Sequence, residues 1–408
     1  MPSLHEPPLR PAAAAAGAAA PVRVLLVDDS AVVRGAVGRV IDDSPDCTVA
    51  STAANGRQAV VAVRQLKPDV VVLDLEMPEM DGLTALPLIR EAHPDVRVLI
   101  LSAHGSRGAD VTLRALALGA ADFVCKVASP ADAATGNRAA AVERYARELV
   151  DKIVMLGRAA QRVSRPRAAS ATPLGTAAIG AGPTGRPTPP VLRAIEPRPV
   201  PTEPPAVIAI AASTGGPAAL TELLHRLPLA VTVPILVTQH MPPEFTRRLA
   251  ERLAVAAGRP CAEAVDGEWL RPGCIYVAPG DHHLTVVREE RAVRVRLTQD
   301  PPEHHCRPAA DPMFRALAQV YGARVLAVVL TGMGVDGRDG ALEIVRAGGQ
   351  VIAQDERSSV VWGMPGAVVQ AGAATQVVPL DRIAFEVTHR AGPRAASVGG
   401  ESPRERSA

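Results

Sequence analysis

Apolar residues fall in short, β-branched runs separated by stretches with helical spacing, and this alternation occurs twice. In the first half, runs at 22–27, 47–52, 69–74, 97–102 and 122–125 read as strands, with helical patterns such as 31–42 and 108–118 between them. Continuous apolar runs mark strands covered on both faces, so these five predict a parallel, doubly wound sheet. From about Arg158 to Pro205 the chain is dense in Pro, Ala, Gly and Arg without a sustained period, which predicts a semi-extended linker. A second alternation runs from Ala206 to about Val387, with strands at 206–211, 233–238, 274–278, 284–288, 293–298, 325–330, 350–354 and 375–378. The pair 284–288 and 293–298 flanks a charged turn and predicts an antiparallel hairpin. The fold class is therefore α/β, with two doubly wound parallel-sheet domains. The expected division is a disordered tail over 1–20, a first domain over 21–145, a helix end and linker over 146–205, a second domain over 206–388 and a disordered tail over 389–408.

Composition narrows the function. In 408 residues, 44 Lys and Arg nearly cancel 42 Asp and Glu, and the formal charge of +2 gives no bulk attraction for nucleic acid. Aromatics are 2% of residues, too few for a base-stacking platform. Cys47, Cys125, Cys261, Cys274 and Cys306 are odd in number and lack C-x-x-C spacing, which favours free thiols over disulfides or zinc. The tract Ala12 to Ala20 is too weakly apolar for a signal peptide, and no run reaches the roughly 18 apolar residues of a membrane helix. The expectation is a cytoplasmic protein without membrane insertion.

Candidate chemistry sits where strands end. In the first domain Asp28 and Asp29 follow one strand, Asp74 closes another, and Ser102 and Lys126 close two more. Strand ends of an open α/β sheet converge on one crevice. Three carboxylates there repel each other unless a cation intervenes, and Mg²⁺, which prefers oxygen ligands, is the natural occupant. With a hydroxyl and an ammonium beside them, such groups can place a phosphoryl group on a carboxylate and neutralise it.

In the second domain the run Val207–Ala212 ends in Ser213-Thr214-Gly215-Gly216-Pro217, a serine at a strand-to-helix turn. Such a serine is a helix cap or a nucleophile facing freed N–H groups. His240 ends the next run, and Asp336 follows a later one within a glycine-rich segment. Serine, imidazole and carboxylate at neighbouring strand ends can form a proton-relay triad. The glycines around Met333 let backbone N–H groups approach a tetrahedral oxyanion. The order Ser, His, Asp and the absence of G-x-S-x-G set this apart from α/β-hydrolases, and a nucleotide-binding glycine loop is lacking. His282-His283 and His304-His305-Cys306 lack helical zinc spacing and read as polar loops. The sequence places no base beside Cys306, so Ser213 is the preferred nucleophile.

Two resemblances organise these observations. Residues 22–145 resemble a response-regulator receiver domain, a flavodoxin-like fold, through Val27-Asp28-Asp29-Ser30, Asp74-Leu75-Glu76-Met77-Pro78-Glu79-Met80-Asp81-Gly82 and Asp122-Phe123-Val124-Cys125-Lys126. The resemblance implies that Asp74 accepts phosphate from a histidine kinase. It also implies that Asp28, Asp29 and the Glu76 carbonyl hold Mg²⁺, that Ser102 and Lys126 contact the phosphoryl group, and that Phe123 fills the aromatic switch position. Val127 stands where the family usually has proline.

Residues 205–385 resemble the Rossmann-like catalytic domain of the CheB family, the chemotaxis protein-glutamate methylesterases and glutaminases. The matching segments are Ala212–Pro217, Gln239-His240-Met241-Pro242, Thr331–Gly337, Ala353-Gln354-Asp355-Glu356 and Gly363-Met364-Pro365. The resemblance implies Ser213 as nucleophile, His240 as base, Asp336 as carboxylate, the Met333 N–H as oxyanion donor and Thr214 as a neighbour in the site. Ala211 replaces a usual glycine, and Cys306-Arg307-Pro308-Ala309-Ala310-Asp311 replaces His-Arg-Pro-Ser-Val-Asp. The implied activity is demethylation, and deamidation of glutamines, on methyl-accepting chemoreceptors, with no metal in this half and with the receiver occluding the site until phosphorylated. A receiver-fused receptor-binding module and a phosphorelay adaptor are the alternatives, and Ser213→Ala separates them from an enzyme.

Overall fold

A computed structural model describes residues 20–103, 105–126, 138–164 and 203–392. Residues 1–19 and 393–408 of the expected tails and most of the expected linker, like Val127, lie outside the described residues, whereas 389–391, expected in the C-terminal tail, complete the last helix, Leu380–Ala391. The first sheet has the order β2-β1-β3-β4-β5, from strands β1 (Val22–Val27), β2 (Cys47–Ala53), β3 (Val70–Asp74), β4 (Arg97–Ser102) and β5 (Asp122–Cys125). All its pairings are parallel. Helices α1 (Ala31–Asp42), α2 (Gly56–Leu66), α3 (Gly82–Ala92) and α4 (Ser106–Ala117) connect the strands. Ser30, Asn55 and Asp81 cap the first three by accepting hydrogen bonds from the amides of Val33, Gln58 and Thr84. Gly82 is required by space, because a Cβ there would lie 2.2 Å from the Asp74 carbonyl oxygen.

Helix α5 (Arg138–Ser164) continues past Arg158, where the sequence pattern predicts linker. Tertiary anchors explain the difference. Leu149, Ile153, Leu156 and Ala160 form a buried stripe at helical spacing. Arg158 pairs with Asp46 at 3.1 Å, and Gln161 donates to Asp69 at 2.9 Å.

The second sheet has the order β14-β13-β12-β6-β7-β9-β8 and is parallel throughout. Its strands are β6 (Val207–Ala212), β7 (Ile235–Gln239), β8 (Cys261–Glu263), β9 (Ile275–Val277), β12 (Val325–Val329), β13 (Gln350–Gln354) and β14 (Gln376–Val378). Between them lie helices α6 (Gly216–Arg226), α7 (Pro243–Ala257), α8 (Ala310–Tyr321), α9 (Arg338–Arg346), α10 (Met364–Gln370) and α11 (Leu380–Ala391). The hairpin is present as β10 (His283–Glu289) with β11 (Ala292–Thr298), antiparallel in register from His283 opposite Thr298 to Glu289 opposite Ala292. β8 is a strand the pattern does not show, three residues long and without a buried side chain.

Strands β6, β7, β12 and β13 are buried along their whole length, as a sheet covered on both faces requires. Connections leave β6 toward β7 on one side while β12 pairs on the other, so the chain reverses direction across the sheet at β6. Open α/β sheets bind ligands at such a switch point.

Candidate active site

Ser213 follows β6, His240 follows β7 and Asp336 follows β12, the two neighbours of β6. The turns are stitched together by backbone bonds: His240 N donates to Ala212 O at 3.1 Å, and Ser213 N to Thr331 O at 3.1 Å. The Gln239 amide also donates to Ser213 O at 2.9 Å. Gly215 has φ +78°, a left-handed turn that starts α6 one residue past Thr214.

His240 Nε2 lies 2.7 Å from Asp336 Oδ2. Asp336 is buried and accepts from the amides of Ala310 at 2.5 Å, Asp311 at 3.0 Å and Gly337 at 2.9 Å. Burial pushes its carboxyl up, but His240 and the amides of Ala310 and Asp311 outweigh it and hold it down at about 2. For His240, burial favours the neutral ring, yet the neighbouring Cys306 and Asp336 win and raise the imidazole above its ordinary range.

The structure brings His240 and Asp336 into direct contact and places Ser213 at the adjoining strand end. No hydrogen bond joins Ser213 Oγ to His240 among the described residues. Instead, His240 Nδ1 faces Cys306 Sγ at 3.5 Å. This corrects the sequence reading of Cys306 as remote from any base. The separation in sequence, 66 residues, hid the contact. Behind it, His304 Nε2 pairs with Asp311 at 2.9 Å, while buried His283 accepts from the Ala309 amide through Nδ1. The Asp311 carboxyl is raised to about 6, by burial first and by the Asp336 charge second.

Thr214 Oγ1 does not face open space. It donates at 2.5 Å to Asp122 Oδ2, in β5 of the first sheet. Gly215 N donates to Ala121 O at 3.0 Å, and Phe123 stacks on Phe245 of α7 with ring centroids 4.3 Å apart. Arg252 donates to Leu113 O, and Arg248 pairs with Asp110 at 3.4 Å. Met333 packs in the apolar cluster that also holds the inner side of α5, with Leu149, Ile153 and Leu156. The first domain therefore lies directly against the residues around Ser213. Asp122 also takes an ion pair from Lys152 of α5 at 3.3 Å. Sequence reasoning missed Asp122, whose acidic side chain just before Phe123 was the one available signal.

In the first domain, Lys126 Nζ lies 3.1 Å from Asp28 Oδ2 and 3.0 Å from Asp74 Oδ1. Asp28, Asp29 and Asp74 present oxygens within 4.8 Å of one another. Burial raises the Asp74 carboxyl, opposed mainly by Lys126. Three close carboxylates with one ammonium leave excess negative charge, a donor set that fits a hard divalent cation. Ser102 is buried at the neighbouring strand end, its hydroxyl 2.7 Å from Thr112 of α4. Glu76 is exposed in the loop after β3.

Comparisons with known proteins agree in both halves. Residues 208–387 match the family model for CheB methylesterase, and residues 24–135 that for the response regulator receiver domain. The protein-glutamate methylesterase/protein-glutamine glutaminase of group 2 operon of Rhodospirillum centenum is 46% identical over 388 residues, covering 93% of this chain and 96% of that protein. The protein-glutamate methylesterase/protein-glutamine glutaminase of Azospirillum brasilense is 46% identical over 391 residues, covering 92% and 95%. The crystal structure of the Thermotoga maritima CheB methylesterase catalytic domain aligns with TM-score 0.45 and 39% identity, over 45% of this chain and 98% of that one.

Proposed function

The chain belongs to the CheB methylesterase family, and from that premise we propose that Ser213, His240 and Asp336 carry its protein-glutamate methylesterase and protein-glutamine glutaminase activity on chemoreceptors. Ser213 Oγ attacks the methyl-ester carbonyl of a glutamyl side chain. His240 takes the serine proton through Nδ1 and returns it to the departing methanol. Asp336 keeps the ring oriented through Nε2 at 2.7 Å. Water, activated by the same imidazole, then releases the glutamate, and a glutamine amide follows the same route with ammonia as the leaving group. The Met333 N–H is the oxyanion donor, beside Thr214. The observation that carries this reading is the His240–Asp336 pair, locked by three backbone amides at the strand end next to Ser213.

The receiver regulates by occlusion. Asp122 of its β5 holds Thr214 and Ala121 just before that strand holds Gly215, one and two residues past the nucleophile, and its Phe123 is wedged against Phe245. A histidine kinase supplies the phosphoryl group, which Asp74 accepts and Lys126 and Ser102 contact. Asp28, Asp29, Asp74 and the Glu76 carbonyl would hold Mg²⁺, which neutralises the incoming phosphate. Repacking around Phe123 then loosens the contacts on Thr214 and opens the crevice. The test is methanol release from methylated receptor, with and without a phosphodonor, for wild type and Ser213→Ala. Release that survives in Ser213→Ala would remove the hydrolytic assignment.

A further inference from the structure

We propose that Cys306 is a peroxide-reactive thiol coupled to the catalytic imidazole, and that its oxidation to sulfenic acid reversibly shuts off the hydrolase. This rests on the reading of His240 as the general base. Cys306 Sγ, His240 and Asp336 form an unbroken chain, 3.5 Å from sulfur to Nδ1 and 2.7 Å from Nε2 to the carboxylate. Nucleophile, base and orienting acid in this sequence are the arrangement that activates a thiol. When the ring is neutral and the Asp336 carboxylate accepts from Nε2–H, Nδ1 carries the lone pair, and the thiol is placed to give it a proton. Cys306 thus faces the same ring nitrogen that takes the Ser213 proton, at a long 3.5 Å while it is reduced.

The loop aims the sulfur. Glu303 and Cys306 exchange both backbone hydrogen bonds, at 3.1 and 2.8 Å, across the tight turn His304-His305. Arg315 grips Glu303 on one side of the turn, and Arg307 pairs with Asp281 at 2.6 Å on the other. Cys306 is also partly exposed, so a small oxidant reaches it. The other thiols differ in kind: burial pushes Cys125 and Cys261 up to about 12, and Cys47 is fully enclosed and raised as well.

The step balances without further reagents. The thiol proton passes to Nδ1, and the sulfur attacks one oxygen of hydrogen peroxide. An S–O bond forms as the O–O bond breaks. Sulfur is oxidised by two electrons, and the departing hydroxide takes the imidazole proton and leaves as water. The new S–OH then donates to Nδ1 and fills the lone pair that Ser213 requires.

The test treats the full-length protein with hydrogen peroxide, traps sulfenate with dimedone, and follows adducts at each cysteine by peptide mass spectrometry alongside methanol release. Cys306 is expected to react first of the five, at least about tenfold faster than half-exposed Cys274, and about a hundredfold slower in His240→Gln. Asp336→Asn, which keeps the side-chain shape, slows labelling as well. Wild-type methanol release falls in step with labelling and returns on adding dithiothreitol. Whatever release Cys306→Ser shows, peroxide does not diminish it, and the acid limb of its pH–rate profile lies at lower pH because the Cys306 contribution that raises His240 is gone. Labelling no faster than at Cys274, labelling indifferent to His240→Gln and Asp336→Asn, or equal peroxide loss in Cys306→Ser each overturns the proposal. Ser213→Ala distinguishes the two readings: it labels at Cys306 like wild type even if serine is the wrong nucleophile.

Discussion

At the scale of single residues, the site turns on one buried carboxylate whose lone pairs are all occupied. Asp336 receives three amides and an imidazole, and its burial is tolerated because each lone pair is occupied. Asp336→Asn keeps the packing but offers His240 a donor where it needs an acceptor, so kcat is expected to fall by about 10⁴ in steady-state methanol assays. Ser213→Ala is expected to cost at least about a thousandfold. The direction of the His240 shift sets the pH dependence. A base must be unprotonated, and an imidazole raised by Cys306 and Asp336 against its burial holds its proton to higher pH than a free histidine. Activity should therefore climb about tenfold per pH unit through neutrality and level off only on the alkaline side. A plateau already reached at pH 6 would contradict that sign. The placing of Ser213, His240 and Asp336 past neighbouring strand ends was legible in the sequence, because Ser213 and His240 directly follow largely apolar runs and Asp336 lies in the glycine-rich loop after a third. Cys306 was not, because its partner is contributed by a different strand end and no local spacing encodes that meeting.

Among the secondary-structure elements, the same distinction recurs. The fully apolar strands β6 and β12, and the apolar stretches of β1, β3 and β13, were readable because burial on both faces favours apolar side chains. β8 was not, since three edge residues, none of them buried, carry no period. The last turns of α5 were missed for a third reason: Arg158 and Gln161 look like linker until Asp46 and Asp69 appear opposite them. β5 carries a consequence for regulation. Asp122 reaches across to Thr214 while balancing Lys152, so one carboxylate joins the strand before Lys126 to the turn after Ser213. A charge-assisted hydrogen bond of this kind contributes about 1.5–3 kcal/mol. Removing it in Asp122→Ala should shift the closed-to-open balance by about tenfold or more, raising basal methanol release without phosphodonor. Basal release that stays level, in protein whose melting curve remains cooperative, would mean that Asp122 does not hold the closed state.

For the molecule as a whole, two sheets with separate covering helices share an apolar boundary. The largest buried cluster runs without a break from β3 and α3 of the receiver to α6 and α7 of the catalytic half. Each sheet nonetheless completes its own hydrogen-bonding ladder, so the boundary is a contact between finished units that can separate without unfolding either. That separability is what occlusion demands, and it fixes a quantitative expectation. Deleting residues 1–200 removes β5, α4 and α5 together, and with them the bonds to Thr214, Gly215 and Arg252. Basal methanol release should rise at least about tenfold and become indifferent to phosphodonor, because no closed population remains to be shifted. A cut within 165–202 offers the complementary experiment, since the receiver then stays in solution as a separate piece. Adding it back at rising concentration should lower release again, and phosphorylating it should weaken that inhibition. If cut, deleted and intact forms all release methanol at one rate, the contacts on the nucleophile turn hold the two halves together without gating the chemistry.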